Sequence, residues 1–241
     1  MNTNVLKFNS IFELNKTLAG FITYLANESI KQKGFFTLAL SGGKTPISLY
    51  RLISLAEYSD KIDWCNTYIF LSDERYLAAN NKNSNYFMAN EALISKISIP
   101  EENVFSYNTN LINILDVSLD YERRILEFFK LNNNDTPSFD LILLGLGNDG
   151  HTASLFPANE ALSVNNRLVA PVTQPGADIT PERITFTYRL INNAQNVVFI
   201  VTGEHKYSIF KEIKENNKEA SLKYPAAGVN AENIFWYLVE N

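Results

Sequence analysis

The chain has 241 residues, 46% of them hydrophobic and 20% charged, an ordinary globular composition with enough length for a substantial core. Its formal net charge of −5 argues against a broad nucleic-acid or acidic-membrane surface, so an anionic ligand needs a local pocket of N–H groups and a few cations. The single cysteine, Cys65, excludes an intramolecular disulfide and a cysteine-based zinc site.

The first predicted element is a helix. Ser10 and Glu13 form a capping-box pattern, Ile11, Leu14, Leu18, Phe21, Ile22 and Leu25 recur at helical spacing, and Gly34 is the stop. "FFTLAL" (35–40) reads as a buried strand, and "SGGKTP" turns from it into a helix with Pro46 near its start. "NTYIFLS" (66–72) is a strand. A helix then runs from Ser84 or Asn85 to about Ile97, and another covers about 116–131. "FDLILLGL" (139–146), "RITFTY" (183–188) and "NVVFIVT" (196–202) are strands. A helix follows from about Glu204 to Glu215, and "NIFWYLV" (233–239) is a final strand.

Continuous apolar strands alternating with helices predict an α/β fold with a doubly wound, mostly parallel sheet flanked by helices. No stretch reads as a linker, and residues 1–241 are expected to form a single domain. The N-terminus lacks a basic start followed by an apolar signal core, and no run approaches a membrane span, so a cytoplasmic location is expected.

In such sheets ligands bind beyond the carboxyl ends of the strands, which directs attention to "SGGKTP", "SDER", "GLGNDGH" and "TGEHK" along one rim. "SGGKTP" ends like a nucleotide phosphate loop, but Leu38 stands where that pattern needs its first glycine. A simpler phosphate cradle survives, with Gly42 and Gly43 turning N–H groups inward and Ser41, Lys44 and Thr45 adding donors. The same loop nearly spells a nucleophile elbow. However, Asp149 and His151 are two residues apart, whereas a hydrolase triad separates them onto different loops. "GLGNDG" (145–150) matches the dinucleotide fingerprint, yet Pro157 leaves room for only a turn or two of helix after it.

Asp149 and His151 remain. Residues two apart in an extended turn point to the same side, so the carboxylate can orient the imidazole or raise its basicity. Gly145, Gly147 and Gly150 would permit unusual backbone angles and the close approach of a ligand. "SDERY" (72–76) is either a solvated charged turn or a part of the site. Lys206, near a helix N-terminus, opposes the helix dipole unless an anion binds there. His205 reads as an exposed bystander, and Arg183 as either an anion ligand or a rim residue.

Taken in order, "SGGKTP", "SDER", "NSNY", "GLGNDGHTASLFP", "PERIT", "VTGEHK", "YPAAGV" and the terminal "FWYLV" resemble the 6-phosphogluconolactonase family over nearly the whole chain. The resemblance implies the fold of glucosamine-6-phosphate deaminases and ribose-5-phosphate isomerases. It also implies hydrolysis of 6-phospho-D-glucono-1,5-lactone to 6-phosphogluconate in the oxidative pentose phosphate pathway. It calls for a small phosphosugar lactone as partner, no nucleic acid, no membrane, no cofactor and no metal, in a monomer or homodimer. Related deaminases carry a glutamate five residues after the histidine, where this chain has Phe156, and tend to have tyrosine where it has Arg75. Ala158 stands where lactonases usually have glycine.

On that basis His151 is expected to act as general base, oriented by Asp149. Backbone N–H groups of the 145–150 turn, Gly147 among them, would stabilise the oxyanion with Arg75. Asp73 would contact sugar hydroxyls. The phosphate would sit on Ser41, Gly42, Gly43, Lys44 and Thr45, held by Lys206 and Arg183.

Overall fold

A computed structural model describes residues 2–177, 179–215 and 217–240. In chain order the elements are β1 (Asn2–Lys7), α1 (Ile11–Lys33), β2 (Phe36–Leu40), α2 (Ile47–Ile53), α3 (Ala56–Ser59), β3 (Thr67–Leu71), β4 (Asp73–Arg75), α4 (Asn85–Ala92) and β5 (Val104–Phe105). There follow α5 (Ile114–Phe129), β6 (Leu141–Gly145), β7 (Val169–Thr173), β8 (Glu182–Phe186), α6 (Tyr188–Ile191), β9 (Asn196–Thr202), α7 (Glu204–Glu215), α8 (Asn217–Lys223) and β10 (Asn233–Val239).

Helix α1 forms where its pattern places it. The Ser10 hydroxyl accepts the Glu13 N–H at 3.2 Å, and the Glu13 carboxylate accepts the Asn9 N–H at 3.1 Å. Gly34 ends the helix in the left-handed region at φ 88°, its N–H bonding the Ile30 carbonyl. Leu14, Leu18, Ala19, Ile22 and Ala26 form the buried apolar stripe.

Seven strands form one sheet in the order β1-β10-β9-β6-β2-β3-β5, and every pairing in it is parallel. Strand β2 is buried along its whole length and β9 nearly so, as the unbroken apolar runs require. From β2 the chain winds outward through β3 to β5, then returns to the other side of β2 and winds through β6, β9 and β10. The topological switch point therefore lies between β2 and β6. The loops leaving these two strands diverge there and open a crevice at their carboxyl ends. A buried carboxylate ties this pair together from the opposite end: Asp140 accepts from the Thr37 N–H and hydroxyl at 2.8 Å each and pairs with Lys33 at 2.8 Å.

Several elements differ from the sequence expectation. β8 does not join the parallel sheet. It pairs antiparallel with β4 and β7 in a separate three-stranded sheet that α5 packs against. β7 contains Pro171 and lies at an edge of that sheet, where a missing N–H is tolerated. The helix expected to reach Ile97 stops at Ala92, because Leu93 leaves the helical region at φ −138° and a 3₁₀ turn follows. β1, which lacks a clear alternation, adds to β10 as an edge strand. No helix among the described residues is long and apolar enough to cross a membrane.

Candidate active site

At the switch point a cavity of about 270 Å³ opens between the loops that follow β2, β3, β6 and β9. The turn after β2, residues 41–45, forms one wall. It is braced from below by the buried Tyr50, whose hydroxyl donates to the Ser41 carbonyl at 2.8 Å. Gly43 turns at φ 86°, a conformation that favours glycine. Gly42 is needed for space instead: a Cβ there would stand 2.1 Å from Asn85 Oδ1.

Asn85 begins α4 and also lines the cavity. Its Nδ2 donates to the Asp73 carbonyl at 2.9 Å and to Asp73 Oδ1 at 3.1 Å. The other Asp73 oxygen accepts from the Ser154 hydroxyl at 2.7 Å. Asp73 and Glu74 are buried, so "SDER" is not a solvated turn. Glu74 accepts the N–H groups of Asn85 and Tyr86 and the Ser84 hydroxyl, capping the first turn of α4. Burial pushes its carboxyl above the ordinary range, against the pull of these three donors and the Arg75 N–H.

The opposite wall is the turn that follows β6. The Gly147 N–H bonds the His151 carbonyl at 2.8 Å and the Gly150 N–H bonds the Gly147 carbonyl at 3.1 Å, so both donors are used inside the turn. Gly147 serves the site by having no side chain. A Cβ would lie 2.1 Å from His151 Nδ1, in the space where the imidazole rests. Gly150, at φ 79°, lies against the Tyr224 ring, and its carbonyl accepts the Ala226 N–H at 3.0 Å.

Asp149 Oδ1 lies 2.5 Å from His151 Nδ1 and 3.1 Å from the His151 N–H. Burial raises the Asp149 carboxyl, but the bond and charge of His151 outweigh it and hold it below its usual value. An ionised carboxylate only accepts, so Nδ1 carries a proton, and in the neutral form of the ring Nε2 then presents its lone pair. Beside the imidazole lies the buried Phe156 ring, 4.6 Å away between centroids.

Two arginines face each other across the small sheet. Arg75 on β4 is directly opposite Arg183 on β8, and both line the cavity. Like charges in register repel unless an anion lies between them. Arg183 is buried, with its guanidinium 5.5 Å from the Phe156 ring centre, while Arg75 donates to the Asn83 carbonyl at 2.8 Å. Lys206, from the first turn of α7, completes the cationic lining, and its partial burial lowers the ammonium pKa.

Thus Ser41, Gly42, Gly43, Lys44, Thr45, Asp73, Arg75, Gly147, His151, Arg183 and Lys206 share one cavity, and Asp149 reaches it through His151. Asn85, Ser154 and Phe156 were not singled out as site residues from sequence. Asn85 has a local signal in its place after the N-capping Ser84, and Ser154 and Phe156 lie within the "GLGNDGHTASLFP" motif. His205 is exposed but not a bystander, since its Nε2 lies 2.9 Å from the Asn148 carbonyl. Ala158 holds φ 58°, the left-handed conformation that explains a preference for glycine at this point.

A cationic crevice at the switch point of a parallel sheet, with a carboxylate-tethered imidazole on its rim, defines an α/β enzyme site for a small anion. A family model described as "Glucosamine-6-phosphate isomerases/6-phosphogluconolactonase" matches residues 10–236, and the chain belongs to that family. It is 38% identical to a 6-phosphogluconolactonase of Nostoc sp., over 87% of this chain and 84% of that protein. It is 36% identical to one of Synechocystis sp., over 90% and 87%. The crystal structure of 6-phosphogluconolactonase from Thermotoga maritima superposes with a TM-score of 0.82 at 30% identity, covering 98% of this chain and 99% of that one.

Proposed function

We propose that this chain hydrolyses 6-phospho-D-glucono-1,5-lactone to 6-phospho-D-gluconate, a step of the oxidative pentose phosphate pathway. The observation that carries this reading is the Asp149–His151 pair, whose imidazole shares one small cavity with a glycine turn and the cations Lys44, Arg75, Arg183 and Lys206. A δ-lactone is an activated ester, so a positioned base and charge stabilisation suffice without a covalent nucleophile.

His151 Nε2 takes a proton from water as its oxygen attacks C1. The tetrahedral oxyanion then collapses, the bond from C1 to the ring oxygen breaks, and His151 returns the proton to that oxygen. Asp149 holds the tautomer and stabilises the imidazolium between the two transfers. The Gly147 and Gly150 N–H groups are engaged within the turn, which supports Arg75 as the side-chain donor to the oxyanion. Asp73, its two oxygens already bonded to Asn85 and Ser154, is assigned to holding α4 and the 151–156 segment in place rather than to the sugar hydroxyls.

The phosphate is assigned to the 42–45 turn with Lys206, and Arg183 closes the anion site beside Arg75. Lys206→Ala is therefore expected to raise KM by about ten-fold, the effect of losing one charge-assisted hydrogen bond, with a smaller change in kcat. Steady-state kinetics on the lactone reads both numbers.

Phe156 separates this chain from the deaminase branch of its family. The family's deaminases carry a glutamate at that position, whereas here a phenyl ring packs against the imidazole and Asp149 is the carboxylate that His151 meets. A cytoplasmic location and a monomeric or homodimeric state belong to the same reading. The test is parallel measurement of lactone hydrolysis, fast enough to outrun spontaneous opening, and of ammonia release from glucosamine 6-phosphate. Lactone turnover without ammonia is expected. Ammonia release, or stabilisation by 6-phosphogluconate with no turnover, would overturn the proposal.

A further inference from the structure

Besides the Gly150 N–H bond to the Gly147 carbonyl and the Asp149 bonds to His151, four contacts hold the turn that carries His151. Two lie within the turn or at its root: the Gly147 N–H to the His151 carbonyl, and the Thr152 hydroxyl to the Gly145 carbonyl at 2.9 Å. A third fixes its far side, where the Ala226 N–H reaches the Gly150 carbonyl. The fourth reaches its apex from another element, where the His205 imidazole on α7 meets the Asn148 carbonyl at 2.9 Å. A carbonyl only accepts, so His205 Nε2 carries a proton and donates it.

The neighbours of this contact give it meaning. Asn148 lines the cavity beside Gly147, whose open face receives the His151 ring. Lys206, the next residue after His205, lines the same cavity from the first turn of α7. Consecutive residues on a helix point about 100° apart. One turn of α7 thus grips the catalytic loop with one side chain and presents an ammonium group to the cavity with the next.

We propose that His205 is a positioning residue for the reaction, holding the apex of the 147–151 turn at a fixed distance from the helix start that carries Lys206. This rests on the reading of His151 as the base and Lys206 as a phosphate ligand. With the apex tethered, the imidazole and the ammonium group keep the spacing that a phosphorylated ring demands. Without the tether the turn stays anchored at its two ends, but Asn148 and the adjacent Gly147 wall are free to shift. The consequence falls on the alignment of His151 rather than on phosphate contact, so kcat suffers more than KM.

Three variants test this: His205→Ala, His205→Gln, whose amide N–H can still reach the carbonyl, and His151→Ala as a reference. Each is assayed for kcat and KM on the lactone, and the amide hydrogen exchange of residues 146–151 is measured by mass spectrometry. His205→Ala is expected to lower kcat about three- to ten-fold, as one lost neutral hydrogen bond would, at nearly constant KM and melting temperature. It is also expected to speed exchange in the turn, and His205→Gln to restore both. Wild-type kcat and exchange in His205→Ala would overturn the proposal, as would equal losses in the alanine and glutamine variants. If His151→Ala kept its turnover, the reading of the site would fail, while the exchange comparison would still decide whether His205 holds the turn.

Discussion

His151→Ala is expected to lower kcat on the lactone by about 10²–10⁴-fold, the usual contribution of a positioned general acid–base. KM should change little, because the phosphate binding is assigned to other groups, the 42–45 turn and Lys206. The variant should fold normally, since the His151 side chain is partly exposed and its bond is to its near neighbour Asp149. Its loss removes the group that accepts a proton from water and the group that returns one to the ring oxygen, so no step of the proposed path is spared. Rapid-mixing kinetics with the spontaneous opening rate subtracted reads the effect. Turnover near the wild-type rate would remove His151 from the mechanism.

Gly147→Ala is expected to cost about 10²-fold in kcat although it adds a single methyl group. The new Cβ would occupy a point 2.1 Å from His151 Nδ1 and 2.2 Å from Cε1, far inside contact distance, so the imidazole must move by about an ångström. A displacement of that size is enough to lose about two orders of magnitude in rate. Gly147 is not in the left-handed region, so alanine suits its backbone and the melting temperature should hold. Alanine also retains the N–H that bonds the His151 carbonyl. The variant therefore separates two roles for this glycine. Loss of kcat in a well-folded protein means that it makes room for the ring, whereas unchanged kcat means that the ring does not depend on that space.

Much of this arrangement was legible in the sequence because parallel strands end on one edge. Once "FFTLAL", "NTYIFLS", "FDLILLGL" and "NVVFIVT" read as buried strands, the polar segments after them had to gather, and residues from Ser41 to Lys206 do share one cavity. The capping box at Ser10 and the stop at Gly34 were legible for a similar reason, since both are satisfied within a few residues. What escaped depends on partners far away in the chain. Ser154 bonds Asp73 across 81 residues and His205 bonds Asn148 across 57, and neither bond leaves a local pattern. For "SDER", read as either a solvated turn or a part of the site, the sequence left no sign that Glu74 turns inward onto the start of α4. The antiparallel course of β8 was missed although "RITFTY" alternates polar and apolar residues, unlike the unbroken apolar runs of the parallel strands. Gly147 matched a dinucleotide fingerprint, yet its use is to accommodate an imidazole, a distinction that needs the coordinates of the ring.

A crystal structure with 6-phosphogluconate bound puts the account at greatest risk. The reaction product should lie with its phosphorus over the 42–45 turn, within reach of Lys206, and with its carboxylate within hydrogen-bonding distance of His151 Nε2. A sugar acid lying with C1 remote from that nitrogen, or with its phosphate outside the glycine turn, would contradict it.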